Sequence, residues 1–238
     1  MPKPSRCANL NRTNPEPMLQ KLLSYLVPVN IYKRKSAVSK QLEVTWNNGH
    51  LVIDSANTNY SYGSLQRVLR KGLKAIGFDR ILAMEHILVL GVAGGSVIRT
   101  LCDEVRFNGR ITGVEIDPEV IGIAQKYFGL DQIANLEIVI DDAFEFVLRT
   151  DKMYDLIIID IFQDTVMPNF LFERFFANRL SELLCAGGYV LFNTMILSPD
   201  DELRNARYVA GFDQAQFLLR RLPRIESHNE LILVQKLT

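Results

Sequence analysis

The sequence predicts an α/β protein whose doubly wound sheet has seven strands, most of them parallel. From residue 86 onward, short apolar runs alternate with helical segments at the spacing of repeated β–α units. A glycine-rich turn at 91–95 directly follows the first of these runs. Near the end, only a few residues separate the strand-like runs 221–225 and 230–236, and a connection this short joins antiparallel strands. We therefore expect a parallel sheet with an antiparallel C-terminal strand.

The N-terminal part of the chain predicts a small β module ahead of this sheet. Residues 1–15 are polar and rich in proline, which predicts a flexible tail. The module, residues 16–62, begins with a helix over 18–26 and continues with three strands, VNIYKRK, QLEVTW and HLVIDS. An Asn-Gly pair between the last two is typical of a hairpin turn, and the polar stretch 55–62 predicts a loop. Because the module is too small for a core of its own, we expect it to pack on the main domain or on a second subunit.

The main domain, residues 63–238, opens with an amphipathic helix over 64–76. Its seven strands are predicted at 86–91, 111–115, 136–140, 155–160, 189–193, 221–225 and 230–236. Its further helices are predicted at 95–106, 118–128, 142–149, 169–184 and 208–220. This alternation is what a sheet with helices on both faces requires.

Composition and charge favour a protein that handles a small molecule. Lys plus Arg and Asp plus Glu number 27 each, so the chain carries no global basic footprint for nucleic acid. The three cysteines are widely spaced, which predicts neither a disulfide framework nor a metal site and fits a reducing cytoplasm. The sequence shows no secretory leader and no apolar run of the ~18 residues needed to span a membrane. We therefore expect a cytoplasmic protein without a metal.

The turn at 91–95 is the first candidate binding feature. Gly91, Ala93, Gly94 and Gly95 stand between a buried strand and the start of a helix. Small residues let backbone N–H groups approach a ligand, and a helix N-terminus adds free N–H groups and partial positive charge. The alternative is tight packing alone, which is also a common reason for glycine in such turns.

Acidic side chains end the next three strands, on the edge where ligands bind in an open α/β sheet. Glu115 ends the second strand, about twenty residues after the glycines, where a carboxylate can accept hydrogen bonds from two ribose hydroxyls. The alternative for Glu115 is a surface acid that merely ends a strand. Asp142 follows the third strand and could meet an adenine amino group, cap the next helix, or do both. Asp160 ends a wholly apolar strand, where it faces the ligand crevice or caps the next loop.

Together these motifs resemble the class I S-adenosylmethionine-dependent methyltransferase superfamily, and within it the spermidine synthase (aminopropyltransferase) branch. The segment VEIDPEVIGIAQKYFGL at 114–130 resembles the ribose-binding strand and helix of that branch. VIDDAFEFV at 139–147 is similar to its adenine-contacting segment, and YDLIIID at 154–160 to the strand with its catalytic aspartate. The N-terminal β module is similar to that of the branch as well. An NAD-binding turn, by contrast, would need glycine where Ala93 and Ser96 stand.

The resemblance implies a Rossmann-like methyltransferase fold that binds S-adenosylmethionine or its decarboxylated relative. The turn would then take the sulfonium-bearing end and Glu115 the ribose, with Asp117 at the sugar edge. Asp142 and Ala143 would contact the adenine, and Asp160 would be the catalytic residue. The resemblance also implies a homodimer formed through the β module.

The residues expected to bind the acceptor substrate differ from the motifs of the spermidine synthase branch. Its polyamine-making members continue the catalytic strand as Asp-x-x-Asp-Pro, whereas here the second acid, Asp164, is displaced by one position and the proline is missing. The acidic segment that helps bind the diamine is replaced by SANTNYSYG at 55–63. A doubly cationic diamine needs carboxylates to offset its desolvation, so putrescine is expected to be a poor substrate. Asp164 remains a candidate for the acceptor pocket, which Tyr60 and Tyr62 could shape, with simple loop packing as the alternative for both tyrosines.

The favoured interpretation is a transferase that moves a methyl group from S-adenosylmethionine to an unidentified acceptor. Methyl transfer requires mainly the alignment of nucleophile and sulfonium. One alternative is an aminopropyltransferase of the spermidine synthase type. Its reaction needs a neutral amine and a group that takes the proton, for which Asp160 is the candidate. The other alternative is a non-catalytic nucleoside-binding or scaffold protein.

Overall fold

Two β-sheets organise the computed structural model, which describes residues 15–36, 38, 40–55, 59–61, 64–162, 166–226 and 228–237. The N-terminal part begins with a helix and continues with four strands: α1 (Pro15–Leu23), β1 (Val29–Ser36), β2 (Lys40–Asn47), β3 (His50–Ser55) and β4 (Asn59–Ser61). The four strands form an antiparallel sheet in the order β1-β2-β3-β4.

The predicted hairpin in this sheet is confirmed, and the predicted loop after it is partly wrong. Asn48 and Gly49 join β2 to β3 with φ angles of 49° and 78°, which are the positive values that a tight hairpin turn requires. The stretch predicted as a loop over 55–62 contains β4, which pairs with β3. Edge pairing with an existing strand makes a short polar segment extended, although its composition is typical of a loop.

The main domain contains seven strands and seven helices among the described residues. The strands are β5 (His86–Leu90), β6 (Arg110–Glu115), β7 (Leu136–Ile140), β8 (Tyr154–Ile159), β9 (Leu184–Met195), β10 (Phe217–Ile225) and β11 (Asn229–Lys236). The α-helices are α2 (Ser64–Ile76), α3 (Phe78–Leu82), α4 (Ser96–Arg99), α5 (Pro118–Phe128), α6 (Ala143–Arg149), α7 (Arg174–Glu182) and α8 (Pro199–Ala210). A π-helix (Thr100–Val105) continues α4, and 3₁₀ turns lie at Leu130–Gln132 and Asn169–Phe172.

The order of the strands in the main sheet is β10-β11-β9-β8-β5-β6-β7. Strands β5 to β9 pair in parallel, and β11 runs antiparallel to both β9 and β10. The chain order reverses between β5 and β8, because β6 and β7 lie on one side of β5 while β8 and β9 lie on the other. This confirms the doubly wound seven-strand sheet with an antiparallel C-terminal strand. The reversal between β5 and β8 is where such sheets bind ligands.

Apolar side chains cover both faces of this sheet. One face packs against α2, α3, α4 and its π-helical extension, and α5, through residues such as Leu69, Ile98 and Ala124. The other packs against α6, α7 and α8, through residues such as Val147 and Phe176. A central strand is buried from both sides, so its sequence is a continuous apolar run. The fully buried β5 is an example.

The N-terminal sheet packs on the outer side of α5. The contact is a separate apolar cluster of buried residues from β2, β3 and α5, namely Leu42, Val44, Ile53, Val120, Ile123 and Phe128. At its border the hydroxyl of Ser36 donates a hydrogen bond to Oδ2 of Asp117 over 2.5 Å. Asp117 precedes α5, so this bond joins the N-terminal sheet to the segment that follows β6.

The last predicted helix is wrong in position. We expected a helix over 208–220, whereas α8 ends at Ala210 and β10 begins at Phe217. The helix starts earlier because Ser198 and Asp201 form a capping box with Pro199 at the first helical position. Phe217–Leu222 is extended because it pairs with β11, a long-range interaction that overrides local preference.

Three other predicted elements need smaller corrections. The helix expected over 95–106 changes to π geometry after Arg99, and the helix expected over 169–184 is a 3₁₀ turn followed by α7. The strand expected over 189–193 is longer, since β9 extends from Leu184 to Met195 and includes the Ala-Gly-Gly segment at 186–188. Among the residues described, no helix has the length and apolar character to cross a membrane.

Candidate active site

The carboxyl ends of β5, β6, β7 and β8 lie along one edge of the main sheet. The turn after β5 meets the end of β8, where the backbone N–H of Asp160 donates to the carbonyl of Leu90 over 2.9 Å. The same turn meets the end of β6 through the side chain of Glu115. The end of β7 joins them, since the N–H of Asp141 donates to the carbonyl of Glu115 over 3.0 Å. The structure therefore brings the predicted turn and two of the predicted acids into one connected group.

The turn at 91–95 requires glycine at two positions. Gly91 has a φ of +86°, and a Cβ there would lie 2.2 Å from the carbonyl oxygen of Asp160. Gly95 has a φ of +78°, and its Cβ would lie 2.1 Å from Cδ1 of Leu130. Ala93 also has positive φ, at 48°, and Gly94 is buried in the turn. The close approach of backbone to backbone at Gly91 holds the turn against the end of β8.

Glu115 accepts three backbone hydrogen bonds across this edge. Its Oε2 accepts from the N–H groups of Val92 and Ala93 at 3.1 and 3.0 Å, and its Oε1 accepts from the N–H of Asp117 at 3.2 Å. A carboxylate has about four acceptor positions, so Oε1 retains one for a further donor. Burial raises the pKa of Glu115 above its ordinary value, and the nearby charge of Asp117 adds to this, whereas the three backbone bonds oppose it.

Asp160 is held by one side-chain hydrogen bond and lies within the electrostatic influence of Glu115. Nδ2 of Asn193, on β9, donates to Oδ1 of Asp160 over 2.8 Å. Burial raises the pKa of Asp160 to about 6, the bond from Asn193 lowers it, and the charge of Glu115 raises it. In the described part of the chain neither carboxylate forms an ion pair with a basic side chain. This edge of the sheet therefore has a negative potential that suits a cationic ligand.

Asn193 is a site residue that the sequence analysis missed, and a second asparagine lies behind it. Nδ2 of Asn229, on β11, donates to Oδ1 of Asn193 over 3.0 Å. Asn193 is fully buried, and Asn229 is 8% exposed. The available signal was the polar end of the apolar strand YVLFN, which obeys the same strand-end rule that selected Glu115 and Asp160.

The remaining predicted nucleoside residues occupy helix starts. Asp117 is 1% exposed, and its Oδ1 accepts from the N–H of Glu119 at the start of α5. Oδ1 of Asp142 accepts from the N–H of Phe144 at 2.7 Å and so caps α6, whose first residue is Ala143. The capping alternative for Asp142 is therefore present in the structure. The contacts of Asp117, Asp142 and Ala143 with a nucleoside stay predictions.

The predicted acceptor-pocket residues lie mostly beyond what the structure describes. Tyr62 and Asp164 are outside the described residues, and for Tyr60 only the backbone, in β4, is described. Their roles stay predictions. The two bulky residues that follow Asp160, Ile161 and Phe162, pack against the apolar cluster beneath α6 and α7. The segment that follows β8 is thus partly absorbed into the core.

This strand order, the strand-end acids and the small-residue turn define a Rossmann-like protein of the methyltransferase fold. The family described as "Spermine/spermidine synthase domain" matches residues 73–203, more than half of the sequence. The chain belongs to this family.

Its relatives include two kinds of transferase. A polyamine aminopropyltransferase of Vibrio vulnificus is 32% identical over 152 residues, which is 63% of this chain and 50% of the relative. An eEF1A lysine and N-terminal methyltransferase of Mus musculus is 28% identical over 160 residues, 63% of this chain and 22% of the relative. Human methyltransferase-like protein 13, solved in complex with SAH, matches with 25% identity and a TM-score of 0.60, covering 74% of this chain and 83% of that chain. The chain thus spans half or less of the length of these two sequence relatives.

Proposed function

We propose that the protein is an S-adenosylmethionine-dependent transferase, with methyl transfer to an unidentified small-molecule acceptor as the favoured reaction. The observation that carries the proposal is the meeting of the 91–95 turn, Glu115 and Asp160 at the reversal point of the sheet. The relatives named as an aminopropyltransferase and as a methyltransferase support a transferase function. The human methyltransferase-like protein, whose structure was solved with SAH, supports it as well.

The residues at this edge fit an adenosyl sulfonium donor. Glu115 keeps an acceptor position on Oε1 for a ribose hydroxyl. The carboxylates of Glu115 and Asp160, which influence each other electrostatically, favour a positive charge near this edge. The absence of a side chain at Gly91 lets the backbone of the turn lie close to the ligand edge. When bound, the donor supplies an electrophilic carbon on a positively charged sulfur.

Two observations bear on which group is transferred. Ile161 and Phe162 pack against the core where polyamine-making members carry a polar loop, which favours methyl transfer. Aminopropyl transfer is the second candidate, because the Vibrio relative is named for it and the pKa of about 6 suits Asp160 to accept a proton near neutral pH. In either reaction Asp160 would hold or take the proton of the nucleophile, while the turn and Glu115 bind and orient the donor.

We further propose a cytoplasmic homodimer that joins through α1 and the turn after it. This segment exposes seven apolar side chains: Met18, Leu19, Leu22, Leu23, Tyr25, Leu26 and Val27. A contiguous patch of this kind marks a protein interface, and a second copy can cover it by two-fold pairing of the same surface. Leu22→Glu combined with Leu26→Glu should convert a dimer to a monomer in light scattering, and an unmodified chain that is monomeric at micromolar concentration would refute this dimer.

The test of the transferase proposal is a calorimetric titration with S-adenosylmethionine, its decarboxylated form and the thioether product. We expect binding of at least one donor, followed by product formation when candidate acceptors are added. Preference for the carboxylated donor supports methyl transfer, and preference for the decarboxylated donor supports aminopropyl transfer. Binding without turnover on any amine, oxygen or protein acceptor would favour a nucleoside-binding scaffold. Absence of binding to all three compounds would contradict the proposal.

A further inference from the structure

We propose that Asn229 and Asn193 form a buried amide relay that holds the carboxylate of Asp160 in one orientation toward the acceptor. Asn193 and Asn229 are then positioning residues that act through Asp160. The part of this inference that concerns the acceptor rests on the proposed transferase function. The relay itself is a property of the side chains on β8, β9 and β11.

The geometry of the relay is continuous from strand to strand. Oδ1 of Asp160 accepts from Nδ2 of Asn193 at 2.8 Å, and Oδ1 of Asn193 accepts from Nδ2 of Asn229 at 3.0 Å. The three residues are separated by 33 and 36 positions in the chain, so only the pairing of β8, β9 and β11 brings them together. Both asparagines are buried, where an unmade hydrogen bond is costly.

The chemistry of the three groups fixes the direction of the relay. An ionised carboxylate can only accept hydrogen bonds, so Asn193 must turn its NH₂ group toward Asp160. Its carbonyl oxygen then faces Asn229, which must donate in turn. The amide of Asn193 thus has one orientation that satisfies both of its neighbours. Asn229 therefore prevents the amide of Asn193 from flipping and presenting an oxygen to Asp160.

The relay leaves half of the carboxylate available. Oδ1 of Asp160 is engaged by Asn193, and the backbone N–H of Asp160 is tied to Leu90. Within the described residues Oδ2 of Asp160 has no hydrogen-bond donor. The negative charge of Glu115 is near enough to disfavour a second negative charge on Asp160. Asp160 can thus offer Oδ2 to a protonated nucleophile, while the relay offsets part of the cost of keeping the carboxylate ionised.

A second polar network on the same two strands provides a matched control. Thr194 and Glu230 neighbour the relay residues in sequence but point to the opposite face of the sheet, toward α8. There the buried amide of Asn205 donates to Oγ1 of Thr194 at 2.8 Å and to Oε2 of Glu230 at 2.9 Å. A substitution at Asn205 removes a buried amide of the same kind without touching Asp160.

The experiment compares Asn193→Leu, Asn229→Leu and Asn205→Leu with the unmodified protein. The carboxyl carbon of Asp160 is labelled with ¹³C, assigned with Asp160→Asn, and titrated by NMR. We expect its midpoint to rise by about one pH unit in Asn193→Leu, because a hydrogen bond to the charged form is lost. A smaller rise is expected in Asn229→Leu and none in Asn205→Leu. An unchanged midpoint in Asn193→Leu or in Asn229→Leu, or equal shifts in all three variants, would overturn the relay.

This measurement needs no donor and no acceptor, so its result is independent of the proposed reaction. If transfer activity is found, the pH midpoint of the rate should move with the NMR midpoint, and donor affinity should stay within about threefold. A rate that falls equally at every pH in the relay variants would show a merely structural role. If Asn193→Leu does not fold, Asn193→Ser provides the same test, since a shorter hydroxyl cannot reach both partners; retention of the unmodified midpoint there would equally refute the relay.

Discussion

The two halves of the candidate site hold their carboxylates in different ways. On the β6 and β7 side, Glu115, Asp117 and Asp142 accept hydrogen bonds from backbone N–H groups of turns and helix starts. On the β8 side, Asp160 accepts from the side chain of Asn193. Backbone donors exist wherever the fold forms a turn or a helix start, whereas a side-chain donor exists only where one residue type stands.

The kind of hydrogen-bond donor that holds each carboxylate suggests two different roles within the candidate site. The acids near the turn have the fixed geometry needed to bind a ligand of constant shape. Asp160 has a single donor and the charge of Glu115 nearby, so its protonation state responds to small changes around it. We therefore propose that the first half binds the donor and that the second takes part in proton transfer, and the predictions below test this division.

The largest effect is expected from Asp160→Asn, which keeps the shape of the side chain and removes the charge. Transfer to a nitrogen or oxygen acceptor should fall by ~10²–10⁴, the usual range for a positioned base. Donor affinity should change by only a few-fold. Steady-state kinetics together with calorimetry measure both quantities, and a collapse of donor affinity would move Asp160 into the nucleoside half.

Gly91→Ala should be the most damaging substitution for stability at the site. The new Cβ would lie 2.2 Å from the carbonyl of Asp160 in a backbone with φ of +86°, so the turn must separate from β8. We expect a loss of about 2–4 kcal/mol in the free energy of unfolding, measured with urea. Gly122→Ala is the control, because nothing lies within 4 Å of its Cβ in α5, and it should stabilise by about 0.5–1 kcal/mol. Equal effects of the two substitutions would contradict the close approach at Gly91.

Glu115→Ala should weaken donor binding by about 1–3 kcal/mol, the cost of losing charge-assisted hydrogen bonds. The turn should loosen as well, because Val92 and Ala93 lose their shared acceptor. Glu115→Gln, which keeps an acceptor oxygen for these N–H groups, should restore stability more than affinity. Calorimetric affinity that is unchanged in a folded Glu115→Ala protein would show that the ribose assignment is wrong.

The smallest effect concerns stability against pH. The pKa of Asp160 is about 6 in the folded protein and near 3.8 when unfolded, so its ionisation opposes folding. Its stabilising contribution is complete below pH ~4 and is lost as the pH rises through 6. Asp160→Asn, which stays uncharged, should therefore be more stable than the unmodified protein by about 1–2 kcal/mol at pH 8 and by nothing at pH 4. Chemical denaturation at both pH values measures this difference in the free energy of unfolding. A variant that is more stable than the unmodified protein only at pH 4 would contradict the prediction.

The difference between backbone donors and side-chain donors also explains which site residues could be predicted from the sequence. Glu115 and Asp160 were predicted because each ends a strand that is visible as an apolar run. Asn193 stands at the polar end of the apolar run YVLFN, so a local signal for it existed. Asn229 matters only through strand pairing with a residue 36 positions away, which no local pattern contains. Likewise the first part of β10, residues 217–220, was assigned to a helix, whereas its second part was predicted as a strand. Its partner strand and not its own composition makes the first part extended.

The contact between the N-terminal sheet and α5 limits how small a working form of this protein can be. Removing residues before 63 would expose Val120, Ile123 and Phe128 to water, directly beside the segment that carries Glu115. It would also leave the buried Asp117 without the hydroxyl of Ser36. We therefore expect the four-stranded sheet to be needed for a stable fold. A chain shortened to residues 63–238 should expose this apolar surface and aggregate.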